Sequence, residues 1–153
     1  MATELKPKSS ARYDTDFYVW ARDQADLLRA RRFKALDLDH LIEEVEGLGD
    51  TKLSAVLNSA RVVMEHLLKL QHSPAREPRN GWRASVREHR RRIQTDLTPR
   101  IEQILTTELS RFYAMARDDA AAGMRDHDEN RAAEALPETC PYTLDQITGD
   151  WWP

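Results

Sequence analysis

The sequence is poor in the residues that carry the commonest covalent and cofactor chemistry. Its single cysteine, Cys140, cannot form a disulfide within the chain, so a reducing compartment such as the cytoplasm is expected. Only five of the 153 residues are glycine, too few and too scattered for a phosphate loop, a dinucleotide fingerprint or a Gly-x-Ser-x-Gly nucleophile elbow. The absence of these motifs favours, without requiring, a protein that is not an enzyme.

Long apolar runs are also missing. No segment approaches the ~20 apolar residues that span a bilayer, and the charged, proline-containing residues 1–13 lack the apolar core of a signal peptide. We therefore expect no membrane span, a cytoplasmic location and a flexible N-terminal tail at 1–13. The formal net charge of −3 argues against a protein built mainly to bind nucleic acid or anionic lipid.

The residues that are present indicate a globular helical protein. Hydrophobic residues make up 41% of the chain and charged residues 32%, which supplies both a core and a solvated surface. Apolar residues recur at steps of three and four, the period of an amphipathic helix, and no alternating run is long enough for a strand. We predict an all-α fold, a single-domain antiparallel bundle of about five helices plus a short C-terminal helix, over residues 14–153.

Breaks in the apolar period set the expected helix boundaries. The main helices are predicted over 14–33, 38–48, 53–68, 82–97 and 98–123. The second of these carries a stripe of Leu38, Leu41, Ile42, Val45 and Leu48. The glycines at positions 47 and 49 weaken its end and separate it from the third helix. Two prolines and a glycine within 73–81 predict the main internal loop.

Two helix starts carry local capping signals. Thr98 followed by Pro99 is typical of an N-cap residue before a proline at the first helical position. Thr143 with Gln146 three positions later forms a capping box, which predicts the short C-terminal helix. Both patterns provide partners for the backbone N–H groups that the first turn of a helix leaves unpaired.

Several blocks of sequence together resemble one family. The blocks are Tyr13-Asp14-Thr15-Asp16-Phe17-Tyr18-Val19-Trp20, Leu41-Ile42-Glu43-Glu44-Val45-Glu46-Gly47-Leu48-Gly49, His66-Leu67-Leu68-Lys69, Trp82 with Arg90 and Ile93, Cys140-Pro141-Tyr142-Thr143-Leu144, and a terminal Trp-Pro. They resemble the bacterial family called domain of unknown function 29 over residues of about 14 to 153. The resemblance implies an all-helical fold and carries no assigned reaction.

An acid and histidine group is the first candidate site. His40, Glu43 and Glu44 lie on the predicted second helix and His66 on the third, so these side chains could converge on a divalent metal between helices. The glutamate–histidine pairs three residues apart that di-iron bundles use are absent. In the alternative interpretation the glutamates form a solvated or ion-paired face, and His66 is a hydrogen-bonded residue at the edge of the core. No other cofactor is predicted.

A basic segment is the second candidate site. Between positions 76 and 92 there are seven arginines and two glutamates, a local charge of +5, with Arg83, Arg87 and Arg90 on one helical face. This face could bind phosphates, which makes nucleic-acid binding an alternative function. The acidic block at 37–50, of charge −6, could instead neutralise the arginines within the fold. Because no nucleic-acid-binding motif is present, nucleic acid is not the expected partner.

The aromatic residues and the cysteine favour packing roles. Four aromatic residues on apolar stripes are predicted to be core: Phe17, Trp20, Trp82 and Phe112. Trp151 and Trp152 at the chain end either pin the C-terminal segment across the bundle or present an anchor to a partner. Cys140 is expected to be a sheltered structural residue rather than a nucleophile.

Taken together, these patterns favour a non-enzymatic protein-interaction or regulatory module. Its expected partner is another protein, and a small antitoxin-like module is one concrete form. The expected interaction surface is the arginine-rich fourth helix, with Arg83, Arg87 and Arg90, or the C-terminal Trp151 and Trp152. The alternatives are a metal-dependent enzyme at the Glu/His group and a nucleic-acid-binding protein. A homo-oligomer is compatible with all of them.

Overall fold

The computed structural model describes residues 10–153, and over these residues the protein is α-helical with no β-strand. The helices are α1 (Ser10–Tyr13), α2 (Phe17–Arg29), α3 (Leu38–His72), α4 (Arg79–Asp96), α5 (Pro99–Arg125), α6 (Asn130–Glu134) and α7 (Leu144–Thr148), and a 3-10 turn, Phe33–Ala35, follows α2. The all-α prediction is therefore confirmed. Residues 1–9 of the expected flexible tail at 1–13 lie outside the described residues, and its last four residues form α1. No helix in the described part of the chain has the length and apolarity that a membrane span requires.

The chain divides into two compact units. The first is Met1–Asp50, described from residue 10, and the second is Thr51–Pro153. The first contains α1, α2, the 3-10 turn and the beginning of α3, and the second contains the rest of α3 with α4 to α7. The single domain over 14–153 stays a prediction.

The predicted break between the second and third helices is wrong. Residues 38–72 form one continuous helix of 35 residues, α3, which passes through Gly47 and Gly49 without interruption. Neither glycine adopts a positive φ. Each glycine costs a helix only about 1 kcal/mol relative to alanine. The helix-forming residues on both sides outweigh that local cost, so composition alone did not mark an end.

Trp20 is the centre of the first unit. It is 2% exposed and is the only large apolar side chain buried among the described residues of this unit. Asp16 caps α2 by accepting a hydrogen bond from the Val19 N–H, which fixes the turn before Trp20. The indole Nε1–H of Trp20 donates to the Asp37 carboxylate over 3.1 Å, and the Asp37 backbone N–H donates to the Gln24 side-chain oxygen over 2.9 Å. A polar hub thus joins α2 to the start of α3.

The second unit packs three long helical segments around an apolar core. Along α4, Arg79 contacts Leu70 and His89 contacts Ser59, so α4 runs antiparallel to α3. Arg61 of α3 forms an ion pair with Asp119 of α5, so α5 also lies next to this part of α3. The core residues shared by these helices include Val56, Val63, Leu67, Val86, Ile93, Leu105 and Phe112.

The capping predictions at Thr98 and Thr143 are confirmed. Thr98 accepts a hydrogen bond from the Ile101 N–H with Pro99 as the first residue of α5. Thr143 and Gln146 form the predicted capping box at α7. The predicted loop at 73–81 is shorter than expected because α4 already begins at Arg79.

Candidate interaction surface

Most of the large apolar side chains that remain exposed lie in the first unit. Among the described residues, nine such side chains are exposed, and only Met115 belongs to the second unit. The other eight are Phe17, Tyr18, Leu28, Phe33, Leu38, Ile42, Val45 and Leu48. Phe17, which was predicted to be core, is 48% exposed, whereas Trp20 and Phe112 are buried as predicted. A concentration of exposed apolar side chains in one part of a protein is characteristic of interaction sites.

Part of this surface is a concave groove between α2 and α3. It has a volume of about 330 Å³. Its lining residues are Phe17, Trp20, Ala21, Gln24, Ala25, Leu28, Leu41, Glu44, Val45 and Leu48. The small side chains of Ala21 and Ala25 leave space between the larger residues at the edges. We call this feature the apolar groove.

An acidic stripe runs along α3 beside the apolar residues. It consists of Asp39, Glu43, Glu46 and Asp50, at steps of four, three and four, and all four residues are exposed. The first three each follow an exposed apolar residue, so the acidic stripe lies about 100° around the helix from the apolar stripe. Among the described residues, no ion pair is found for any of these four carboxylates. Their charge is therefore open to a cationic partner.

The predicted metal-site residue His40 has partners within the first unit. Its Nδ1 lies 2.8 Å from the Asp37 carboxylate, and its ring stacks on Tyr13 with 3.9 Å between the ring centroids. The hydrogen bond that the imidazole donates to the Asp37 carboxylate raises the pKa of His40. Burial raises the pKa of Asp37, but the hydrogen bonds that its carboxylate accepts from His40 and Trp20 outweigh burial, so the pKa of Asp37 is lowered.

Glu44 is also engaged. It accepts a hydrogen bond from the Tyr13 hydroxyl over 2.6 Å, and this bond raises the pKa of Tyr13 to about 12. His40 and Glu44 thus hold α1 against α3, while Glu43 belongs to the acidic stripe.

His66 lies in the second unit, far along the same helix from the other three residues. The convergence that the metal hypothesis invoked depended on two separate helices, and these are one helix. His66 is mostly buried, its Nδ1 has no hydrogen-bond partner among the described residues, and burial lowers its pKa. In the described part of the chain, no group of three or more His, Cys, Asp or Glu side chains is placed to hold a metal ion.

Arg90 of the predicted basic face is a buried clasp for the C-terminal segment. Its guanidinium donates to three backbone carbonyls, those of Gln146 at 2.6 Å, Trp151 at 2.7 Å and Ile147 at 3.1 Å. It also lies over the Trp152 ring, 5.0 Å from the centroid. Burial lowers the pKa of Arg90. The C-terminal segment is therefore pinned, as in the first interpretation of Trp151 and Trp152.

The other basic residues have different surroundings. Arg83 lies 5.8 Å from the Trp152 ring centroid but is itself exposed, and Arg87 is exposed. Arg91 and Arg92 both pair with Glu88 on their own helix. Both arginines therefore share an acidic partner on their own helix.

Cys140 is sheltered, as predicted. Its Sγ lies 3.6 Å from the Tyr142 carbonyl oxygen and 3.9 Å from the Met64 sulfur. Burial raises the pKa of its thiol, which opposes formation of the reactive thiolate.

Comparison with known families identifies the family to which almost the whole chain belongs. A family model described as "Domain of unknown function DUF29" matches residues 12–152. The chain belongs to the DUF29 family. The family match assigns no activity, in keeping with the function that the sequence left open. No curated protein matches this DUF29 chain, and no solved structure does.

The sequence prediction missed the apolar groove of this DUF29 protein. The apolar stripe at 38–48, of which Leu41, Val45 and Leu48 line the groove, was visible in the sequence, but it was expected to pack within the predicted bundle. The useful signal was the acidic stripe, in which Asp39, Glu43 and Glu46 each come one position after an exposed residue of the apolar stripe. An amphipathic helix with an acidic flank of heptad-like spacing is typical of helices that pair with a basic partner.

Proposed function

We propose that this protein is a non-enzymatic interaction module that binds an amphipathic helix of another protein. The partner helix would lie in the apolar groove and place lysine or arginine residues beside the acidic stripe. The observation that carries this proposal is the concentration of exposed large apolar side chains on α2 and the first turns of α3.

Burial of the exposed apolar side chains supplies the driving force. Val45 is 65% exposed and Leu48 is 67% exposed, and Ile42 is 54% exposed. Complete burial of an exposed Val, Leu or Ile side chain is worth about 1.5–3 kcal/mol. A helix whose apolar residues recur at three and four positions can cover these side chains together, which is the helix-in-groove mode of recognition.

The charge beside the groove selects the partner. The four carboxylates of the acidic stripe, for which no ion pair is found in the described part of the chain, run beside the apolar stripe, so a partner with acidic flanks would be repelled. A partner with lysine or arginine at the flanking positions gains charge complementarity, which mainly contributes specificity and association rate. This arrangement favours a basic amphipathic helix over nucleic acid, because phosphates would face carboxylates.

The setting of this interaction is part of the proposal. A bacterial cytoplasm suits a chain whose only cysteine is a sheltered thiol. An antitoxin-like role, in which the groove captures a basic helix of a second protein, is one form that the module could take.

The experiment is a comparative capture from the native host with cross-linking and mass spectrometry. The groove variant is Val45→Gln/Leu48→Gln, and its matched control is Met115→Gln, which changes an exposed apolar residue of the second unit. The charge variant is Glu43→Lys/Glu46→Lys, and its control is Glu134→Lys/Glu138→Lys, two exposed acids of the second unit.

We expect one captured protein, whose cross-linked segment is an amphipathic helix with lysine or arginine flanks. Both first-unit variants should lose it and both controls should keep it. Equal capture by wild type and the groove variant would overturn the proposal. Sedimentation that shows a groove-dependent dimer of the chain itself would overturn it in favour of self-association.

A further inference from the structure

The second unit contains a cavity that the proposed function does not use. It has a volume of about 720 Å³ and lies among the end of α3, the loop before α4, the start of α4 and the end of α5. Its lining residues are Lys69, Ala75, Arg76, Glu77, Pro78, Trp82, Gly123, Met124, His127 and Glu129. This volume falls within the usual range of small-molecule sites, about 300–1,000 Å³.

Lys69 supplies a sheltered cation to the cavity. Its side chain is only 14% exposed, and its ammonium lies 2.6 Å from the Glu65 carboxylate. An ammonium has three N–H donors, and Glu65 is the only hydrogen-bond acceptor found for it among the described residues. Glu65 takes one of these donors and does not line the cavity. The other N–H groups of Lys69 therefore remain for a ligand in the cavity.

Gly123 makes the room that this ammonium occupies. A Cβ atom at position 123 would lie 3.0 Å from the Lys69 Nζ and 3.2 Å from its Cε. A glycine inside a helix costs about 1 kcal/mol relative to alanine, and this one lies near the end of α5 at the cavity wall. Its absence of a side chain lets Lys69 reach this position.

The remaining walls combine an apolar surface with polar groups. Trp82 and Met124 provide the larger apolar side chains, and Met124 is 2% exposed. The His127 Nδ1 lies 2.8 Å from the Gly123 carbonyl oxygen. Because a carbonyl only accepts, Nδ1 carries the proton, and Nε2 is the ring nitrogen left for a ligand. Arg76 and Glu77 are exposed, so they lie at the rim of the cavity.

We propose that this cavity binds a small anion with a flat apolar body, whose carboxylate or phosphate oxygens accept hydrogen bonds from Lys69. The apolar body packs against Trp82 and Met124. Glu77 and Glu129 also line the cavity, so a ligand that carries charge at both ends is disfavoured unless its second group is cationic. The inference is independent of the apolar groove, since every residue that it uses lies between positions 65 and 129.

The test uses benzoate and phenyl phosphate as probes, with neutral benzyl alcohol as the matched control ligand. Binding to the full chain is followed by the indole ¹H–¹⁵N NMR signal of Trp82, assigned with Trp82→Phe. Both anions should shift this signal in a saturable way, whereas benzyl alcohol should bind about tenfold more weakly or worse, as expected for loss of a hydrogen bond to a charged group. The relative affinity of the two anions distinguishes a carboxylate site from a phosphate site.

Two variants locate the anion. Lys69→Gln removes the charge and keeps most of the volume. Gly123→Ala keeps the lysine but displaces its ammonium, and its control is Gly81→Ala, since a Cβ at position 81 meets nothing within 4 Å. Both site variants should weaken anion binding about tenfold, with the circular dichroism spectrum unchanged for Gly123→Ala. Equal binding of benzyl alcohol and benzoate, or equal weakening by Gly81→Ala and Gly123→Ala, would overturn the proposal, as would no saturable shift with either anion.

Discussion

Replacement of Arg90 by methionine should strongly destabilise the second unit. Methionine keeps much of the apolar stem but removes the donors to the carbonyls of Gln146, Ile147 and Trp151. A buried group left without its partner costs about 1–3 kcal/mol. Because some of these carbonyls can recover a bond to water when the C-terminal segment loosens, we expect a total loss of about 2–4 kcal/mol rather than the sum. That is a large fraction of the ~5–15 kcal/mol by which domains are stable.

The measurement is the free energy of unfolding in urea, followed by circular dichroism. Arg87→Met is the matched control, because Arg87 lies three positions earlier on α4 and is exposed. This control should remain within about 0.5 kcal/mol of wild type. Arg90→Lys should fall in between, since an ammonium keeps the charge but lacks the planar fork that spans several acceptors.

A second readout separates the clasp from a general loss of packing. If Arg90 holds the C-terminal segment, hydrogen exchange in Arg90→Met should rise first at residues 144–153, before the rest of the unit. If Arg90→Met matches Arg87→Met in stability, and exchange at the C-terminal segment is unchanged, the carbonyl contacts contribute nothing and the reasoning fails.

Three further predictions concern α3 and the polar hub of the first unit. Gly47→Ala and Gly49→Ala should each stabilise the protein in urea by about 0.5–1 kcal/mol, because α3 is continuous and a Cβ meets nothing within 4 Å at either position; no gain would indicate a break in the helix. Trp20→Phe should lower the free energy of unfolding by about 1–3 kcal/mol, because the Asp37 carboxylate loses its indole donor. Unfolding followed by near-UV circular dichroism measures this loss, and wild-type stability would contradict the prediction. The pKa of His40 is raised in the folded state, so protonated His40 stabilises the fold. This contribution to the free energy of unfolding is fully present below the ordinary histidine pKa of about 6.5 and is lost as pH rises through the raised value. An NMR titration that finds the His40 pKa at or below the ordinary value would contradict this.

The features that could be predicted from sequence are those fixed by neighbouring residues. The caps at Thr98 and Thr143 depend on side chains that bond N–H groups two or three positions away, and both formed as predicted. The continuity of α3 could not be predicted, because Gly47 and Gly49 carry a local cost that the rest of a long helix outweighs. The sequence shows the two glycines that destabilise the helix, but it does not show how far the rest of α3 offsets them.

The role of Arg90 was hidden for a different reason. Its three carbonyl partners lie 56 to 61 positions later in the chain, and a backbone carbonyl leaves no mark on sequence composition. An arginine within a charge run was therefore interpreted as part of a basic surface. Arg90 is buried because the C-terminal segment passes over it, and only the fold establishes the path of that segment.

The apolar groove shows the limit of periodicity most clearly. An amphipathic stripe has the same pattern whether its apolar face is covered by its own chain or by another, so the stripe at 38–48 was expected to pack within the predicted bundle. What distinguishes the two cases is how much apolar surface the unit buries by itself. Among the described residues of the first unit, Trp20 is the only large apolar side chain that is buried, and small units are marginally stable even with a full core. A partner helix in the groove would supply the missing burial, so its binding should slow hydrogen exchange throughout α2 as well as at the contact itself.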